Sequence, residues 1–341
     1  MRKIHYYGLD WLRCISCILI VLYHYTYRFQ NHEVFSISNI EWKGIPFGSC
    51  AIITFFLLSG ILAENDLNNR RNISEFIKGK FWRLYPTFWL AMCITLFIEF
   101  WLYPQALVSF KDILANLSML PGILGASPID GAYWTLQYEL IFYMIIVVFK
   151  VIDTIFKKNY INQLLLVWSI LSVIIYGVSR NCNGIVLSIT IIFTLAEYGG
   201  AFISGLVIMR IVNKPDNIML WLTLIIAIVS GFLWMGQTQF LFLIGGIVIC
   251  FICLFNPKLI INRDTKVNRF IAKFSAVTYP MYLLHQNIGY CIMITLIAMG
   301  FKTEWIVIIP IVFVIFIAMI IHMYFENHLI VWIKKVGRKN D

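Results

Sequence analysis

Long apolar runs set the pattern of this chain. Runs of roughly 17–25 mostly apolar residues, the length needed to cross a bilayer, recur at about 9–29, 47–63, 84–103, 132–150, 160–177, 185–209, 218–235, 239–257, 277–299 and 305–325. The pattern predicts an all-α fold, a polytopic transmembrane bundle of about ten spans forming one domain over 1–341. The second and seventh runs are short, and the sixth contains the Gly199-Gly200 pair. The longest polar stretches fall near 64–83, 104–131 and 258–275, and no internal repeat is visible.

An even number of spans puts both termini on one side of the membrane. On that side lie 21 of the 27 lysines and arginines, five lie on the other, and Arg13 falls within the first span. Basic residues concentrate on the cytoplasmic side of membrane proteins, so both termini are expected there.

The first run departs from a plain lipid-facing helix, because it carries Asp10, Arg13 and His24. At ~100° per residue the eleven-residue step from Arg13 to His24 drifts only ~20°, and the two lie ~16 Å apart along the axis. Asp10, three residues before Arg13, shares the stripe and can pair with the guanidinium. Charged groups at membrane depth are costly and normally face a bundle interior or a wet cavity.

Composition changes the picture little. Of 341 residues 60% are hydrophobic and 13% charged, with a mean hydropathy of +0.82, against roughly 25% charged in a soluble domain. The first run is too long and too charged for a cleavable signal peptide. The formal charge of +10 reports topology rather than nucleic-acid binding. Cys14/Cys17 and Cys250/Cys253 have C-x-x-C spacing but lie inside apolar spans, so neither a metal site nor a disulfide framework is expected.

Two residues on other spans, Glu139 and His285, join His24 as candidates. The orientation places His24 and Glu139 in the outer half of the membrane, on the first and fourth spans, and His285 in the inner half of the ninth. An imidazole titrates near neutral pH and can relay a proton from an attacking hydroxyl. The structural alternative for His24 is a buried ring bonded to a backbone carbonyl or a tyrosine. For Glu139 the alternative is an ion pair, and for Arg13 a salt bridge to Asp10 alone. Arg83, in KGKFWRLYP, is either a topological anchor or a phosphate clamp. Glu99, His322 and Glu326 lie near span ends, where interfacial pairing is expected.

Taken in order, these stretches resemble acyltransferase family 3, a family of membrane acyltransferases. The resemblance rests on GLDWLRCISCILIVLYH, with Arg13 and His24 in R-x10-H spacing, and on FFLLSGIL at 55–62 and FWRLYPTFW at 81–89. It continues in WTLQYELIFY at 134–143, YPMYLLH at 279–285 and YFEN at 324–327, so it spans nearly the whole chain. One position departs: the family's R-x-x-R appears as Lys80-x-x-Arg83, and lysine keeps the charge without the bidentate fork.

The resemblance implies a multi-pass O-acyltransferase of the bacterial inner membrane. Such a protein moves acetyl from cytoplasmic acetyl-CoA to a hydroxyl of a cell-envelope polysaccharide or glycolipid precursor. It implies His24 and Glu139 as catalytic residues, with His24 a general base or a transient acyl carrier. Arg13, Lys80, Arg83 and His285 would meet the acyl-CoA, with Asp10, Tyr138 and Trp134 in support. The implied partners are acyl-CoA, the carbohydrate acceptor and the lipid bilayer; no metal is expected, and a homodimer is admitted. The rival reading is a transporter or exporter whose pathway the same charges line.

Overall fold

The computed structural model describes residues 5–31, 44–69, 72–103, 108–256, 259, 263–301 and 303–337. Arg2, Lys3, Lys43, Arg70, Arg71, Lys258, Lys302, Arg338 and Lys339, which enter the count of flanking cations, lie outside the described residues. Among the described residues every regular element is helical. The α-helices are α1 Tyr7–Leu22, α2 Ile52–Asn69, α3 Ile73–Leu102, α4 Phe110–Leu117, α5 Trp134–Phe156, α6 Ile161–Ser179 and α7 Ile185–Thr194. They continue as α8 Gly199–Asn213, α9 Ile218–Trp234, α10 Gln237–Phe255, α11 Lys266–Ala298, α12 Ile308–Ile320 and α13 Asn327–Gly337.

Eight helical stretches among the described residues are long and apolar enough to cross a membrane. The runs expected at 132–150 and 218–235 are helical too, as α5 and α9, the latter 17 residues long. The chain divides into two compact units, each assembled from three stretches. The first comprises Met1–Ser16, Cys50–Gly79 and Leu136–Ala272; the second comprises Cys17–Ser49, Lys80–Thr135 and Lys273–Asp341.

In the first unit α8 is buried without interruption from Gly199 to Ile208 and packs on α2 and α9. The approach to α2 is close. A Cβ on Gly60 would overlap the Phe202 carbonyl oxygen, and one on Gly205 would overlap the Leu57 carbonyl oxygen. Small residues permit such crossings where lipid offers no hydrophobic gain from association. Three rings fill the same interface: Phe56 and Phe142 both stack on Phe202, with ring centres 4.6 and 4.4 Å apart.

The run at 185–209, expected as one span, is one of the eight stretches, but its helix is interrupted. Helix α7 ends at Thr194, Leu195 turns left-handed at φ 52°, and α8 starts at Gly199. A break exposes backbone carbonyls that lipid cannot satisfy. Here α6 satisfies them: Trp168 Nε1 donates to the Thr194 carbonyl at 2.6 Å and the Ser172 hydroxyl to that of Ala196 at 2.7 Å.

In the second unit α3 and α11 each carry an interior proline, Pro86 and Pro280. A proline removes one helix hydrogen bond, and the tyrosine before each ties the helix to a neighbour. Tyr85 donates to the Ser118 carbonyl at 3.0 Å, and Tyr279 to the Leu84 carbonyl at 2.9 Å. A capping box of Ser109 and Asp112 starts α4. Asn116 then holds the following loop by bonding the Ser127 carbonyl and the Ile129 N–H.

That loop ends in a buried polar network. Asp130 accepts from the Ala132 N–H at 2.8 Å and the Asn287 N–H at 2.9 Å. The Asn287 amide donates to the Glu99 carboxylate at 2.6 Å and the Ile129 carbonyl at 2.8 Å. Glu99, expected at an interface, is thus only 4% exposed. Glu326 and His322 also find internal partners: the Thr87 hydroxyl donates to Glu326 at 2.9 Å, and His322 Nδ1 lies 2.7 Å from its other oxygen. Two π-helical turns complete the unit, Tyr23–Arg28 and Ile321–Glu326.

Candidate functional site

His24 lies in the first π-turn, where the helix widens by one residue. The Thr26 hydroxyl takes the Leu22 carbonyl at 2.6 Å, and the Phe29 N–H reaches back five residues to the His24 carbonyl. A serine or threonine that bonds a carbonyl one turn back competes with the regular ladder, and π-turns of this kind are frequent at functional sites. Tyr25 anchors the turn against α11. Its hydroxyl donates to the His285 carbonyl at 2.6 Å, and its ring occupies the space that a side chain on Gly289 would need.

The His24 ring is half-buried. Its Nδ1 lies 3.2 Å from the Tyr290 hydroxyl, and its ring stands edge-on to His285 with centres 4.9 Å apart. His285 is fully buried, and its Nδ1 lies 2.7 Å from the Tyr282 carbonyl. A carbonyl can only accept, so Nδ1 carries the proton and Nε2 keeps a lone pair. That Nε2 has no hydrogen-bond partner among the described residues. The second unit therefore places two imidazoles side by side, one accessible and one with its tautomer fixed.

Glu139 sits half-buried on α5 in the first unit. One carboxylate oxygen accepts from Tyr143, one turn along the helix, at 2.6 Å and from Ser59 of α2 at 3.1 Å. No cation pairs with it among the described residues, so two hydroxyls hold this acid instead of the alternative ion pair. Tyr138, beside it, packs edge-on against Tyr198 at 5.0 Å. Trp134, at the start of α5, is exposed and belongs to the second unit.

The expected donor-side residues fall in both units. Arg13 is half-buried in the first unit, and Asp10, its expected partner, accepts from His5 Nε2 at 2.6 Å. In the second unit Lys80 is 5% exposed whereas Arg83, three residues on, is exposed. His285, grouped with them from the sequence, stands against His24. Among the described residues, no three His, Cys, Asp or Glu side chains converge as a metal-binding set.

Several motifs far apart in sequence are bonded to each other. Ser59 of FFLLSGIL meets Glu139 of WTLQYELIFY, and Thr87 of FWRLYPTFW meets Glu326 of YFEN. Thr135 meets Tyr282 of YPMYLLH at 2.8 Å. Tyr290 and Thr26 are partners that sequence reasoning missed; a pairing across 266 residues leaves no local spacing signal.

A family model described as an acyltransferase domain matches residues 6–324, nearly the whole chain. No curated protein and no solved structure showed a match.

Proposed function

The chain belongs to acyltransferase family 3, and on that premise we propose that this membrane acyltransferase acts with acetyl-CoA as its cytoplasmic donor. The acceptor is a hydroxyl of a cell-envelope polysaccharide or glycolipid precursor, and the protein resides in a bacterial inner membrane. The observation that carries the mechanism is the half-buried His24 ring held at Nδ1 by Tyr290.

With Nδ1–H donated to the tyrosine oxygen, His24 Nε2 keeps a lone pair and acts as general base. It takes the acceptor's hydroxyl proton as that oxygen attacks the thioester carbonyl. The C–S bond then breaks, and the departing CoA sulfur receives the proton from His24. The His285 ring stands edge-on beside that of His24, 4.9 Å between centres, with its own Nε2 unpartnered among the described residues. Glu139, cradled by two hydroxyls within its motif, is the second catalytic group. Lys80 and Arg83 supply cations for the donor's phosphates, and Arg13 meets its pantetheine arm.

Purified protein in nanodiscs, given radiolabelled acetyl-CoA and envelope glycolipids, tests the reading. His24→Ala is expected to abolish transfer, a loss of at least the roughly 10²–10⁴-fold worth of general base catalysis, and Tyr290→Phe, which keeps the base but removes its hydrogen-bond partner, to lower kcat by less. Full transfer by His24→Ala refutes the mechanism. Solute passage into proteoliposomes without any acyl transfer refutes the enzyme reading in favour of a transporter.

A further inference from the structure

The first unit carries a cationic cavity that the proposed chemistry does not use. It has a volume of about 140 Å³ and lies where α5, α6 and α8 end or begin, lined by Lys150, Asn159, Asn162, Arg210 and Lys214, with Glu64 of α2. Arg210 is fixed in place. Its Nε donates to Glu64 at 2.8 Å and its Nη1 to Asn162 at 2.6 Å. Its Nη2 makes no hydrogen bond, and neither Lys150 nor Lys214 has an ion-pair partner, among the described residues. Three cations thus face one carboxylate.

Lys150 also lines a second cavity, of about 210 Å³, with Leu67, Ile73, Phe76 and Val147 as apolar wall and Asn72, Thr154 and the Asp153 carboxylate as polar groups. A cationic, carboxamide-lined chamber joined by one lysine to an apolar chamber with polar groups suits a phosphorylated nucleoside. The phosphate meets the lysines and the preset guanidinium, and the base lies on Phe76 and Val147. All three cations lie in segments that the charge bias places on the cytoplasmic side.

We propose that this pair of cavities seats the 3′-phosphoadenosine end of the acyl-CoA donor. The inference rests on the donor reading above and deepens it by giving the nucleotide a seat of its own. A phosphate group in the cationic chamber could also come from an anionic lipid or from free phosphate, and the test separates these sources.

Calorimetry on the full chain in phosphatidylcholine nanodiscs measures binding of 3′,5′-adenosine diphosphate to wild type, to Lys150→Gln/Lys214→Gln and to Lys150→Arg/Lys214→Arg. The glutamine pair is expected to weaken binding at least about tenfold, and the arginine pair to retain it. Equal affinity in wild type and the glutamine pair overturns the proposal. So does an inorganic phosphate affinity equal to that of the nucleotide, or lysine-dependent stabilisation that follows only added phosphatidylglycerol. If the nucleotide binds through these lysines while acyl-CoA yields no acyl transfer, the pocket stands and the donor reading falls. If transfer proceeds with an unchanged acetyl-CoA KM in the glutamine pair, the pocket falls and the donor reading stands.

Discussion

At the scale of single residues, burial decides what each polar group can do. Asp130 lies outside the apolar spans yet is fully buried. Burial pushes its carboxyl up to about 7; the two N–H bonds it accepts pull the other way, and nearby Glu99 adds a smaller upward push. In the folded protein it therefore holds a proton that the unfolded chain releases near pH 4. That stabilisation is complete below pH 4 and is lost as the pH rises through 7, at about 1.4 kcal/mol per pH unit within the window. Thermal unfolding in detergent between pH 4 and 7 should show wild type losing stability while Asp130→Asn stays flatter. Parallel slopes would refute the assignment. His24 illustrates the same dependence on surroundings. Its type and its spacing from Arg13 are legible in the sequence, but Tyr290, which holds Nδ1, is 266 residues away and carries no local signal.

At the scale of elements, apolar length is local information, and the helices were legible for that reason. Departures from regular helix were not, because distant partners stabilise them. The left-handed Leu195 survives because Trp168 and Ser172, on another helix, take the carbonyls it frees. The π-turn at Tyr23–Arg28 depends on Thr26 and on the space above Gly289. The motif FFLLSGIL gains a physical reading only in three dimensions, with Ser59 for Glu139 and Gly60 for the crossing with α8. Gly205→Ala puts a methyl group into the Leu57 carbonyl oxygen, a backbone atom that cannot turn aside. Overpacking of this kind costs typically 1–3 kcal/mol. The melting temperature of Gly205→Ala should fall clearly, whereas Gly236→Ala, with open space around it, should leave it nearly unchanged.

At the scale of the whole molecule, both compact units are stitched from separated stretches, so neither is a segment that could be cut out of the chain. This was not legible from hydropathy, which orders spans along the sequence and says nothing of which ones meet. A chain ending at residue 265 lacks Tyr282, His285, Gly289 and Tyr290, the residues against which His24 and Tyr25 rest. Pulse-chase labelling should find that product inserted and then degraded, and a long-lived truncated chain would refute the dependence. The same arrangement imposes a schedule on biogenesis. Tyr25 docks over Gly289, and a ribosome adds about 5–20 residues per second, so Tyr25 waits on the order of 13–50 s in the bilayer before its seat is made. For that interval the first helix carries its polar groups in lipid without the partners that later satisfy them, the state in which membrane-buried polar groups are most costly.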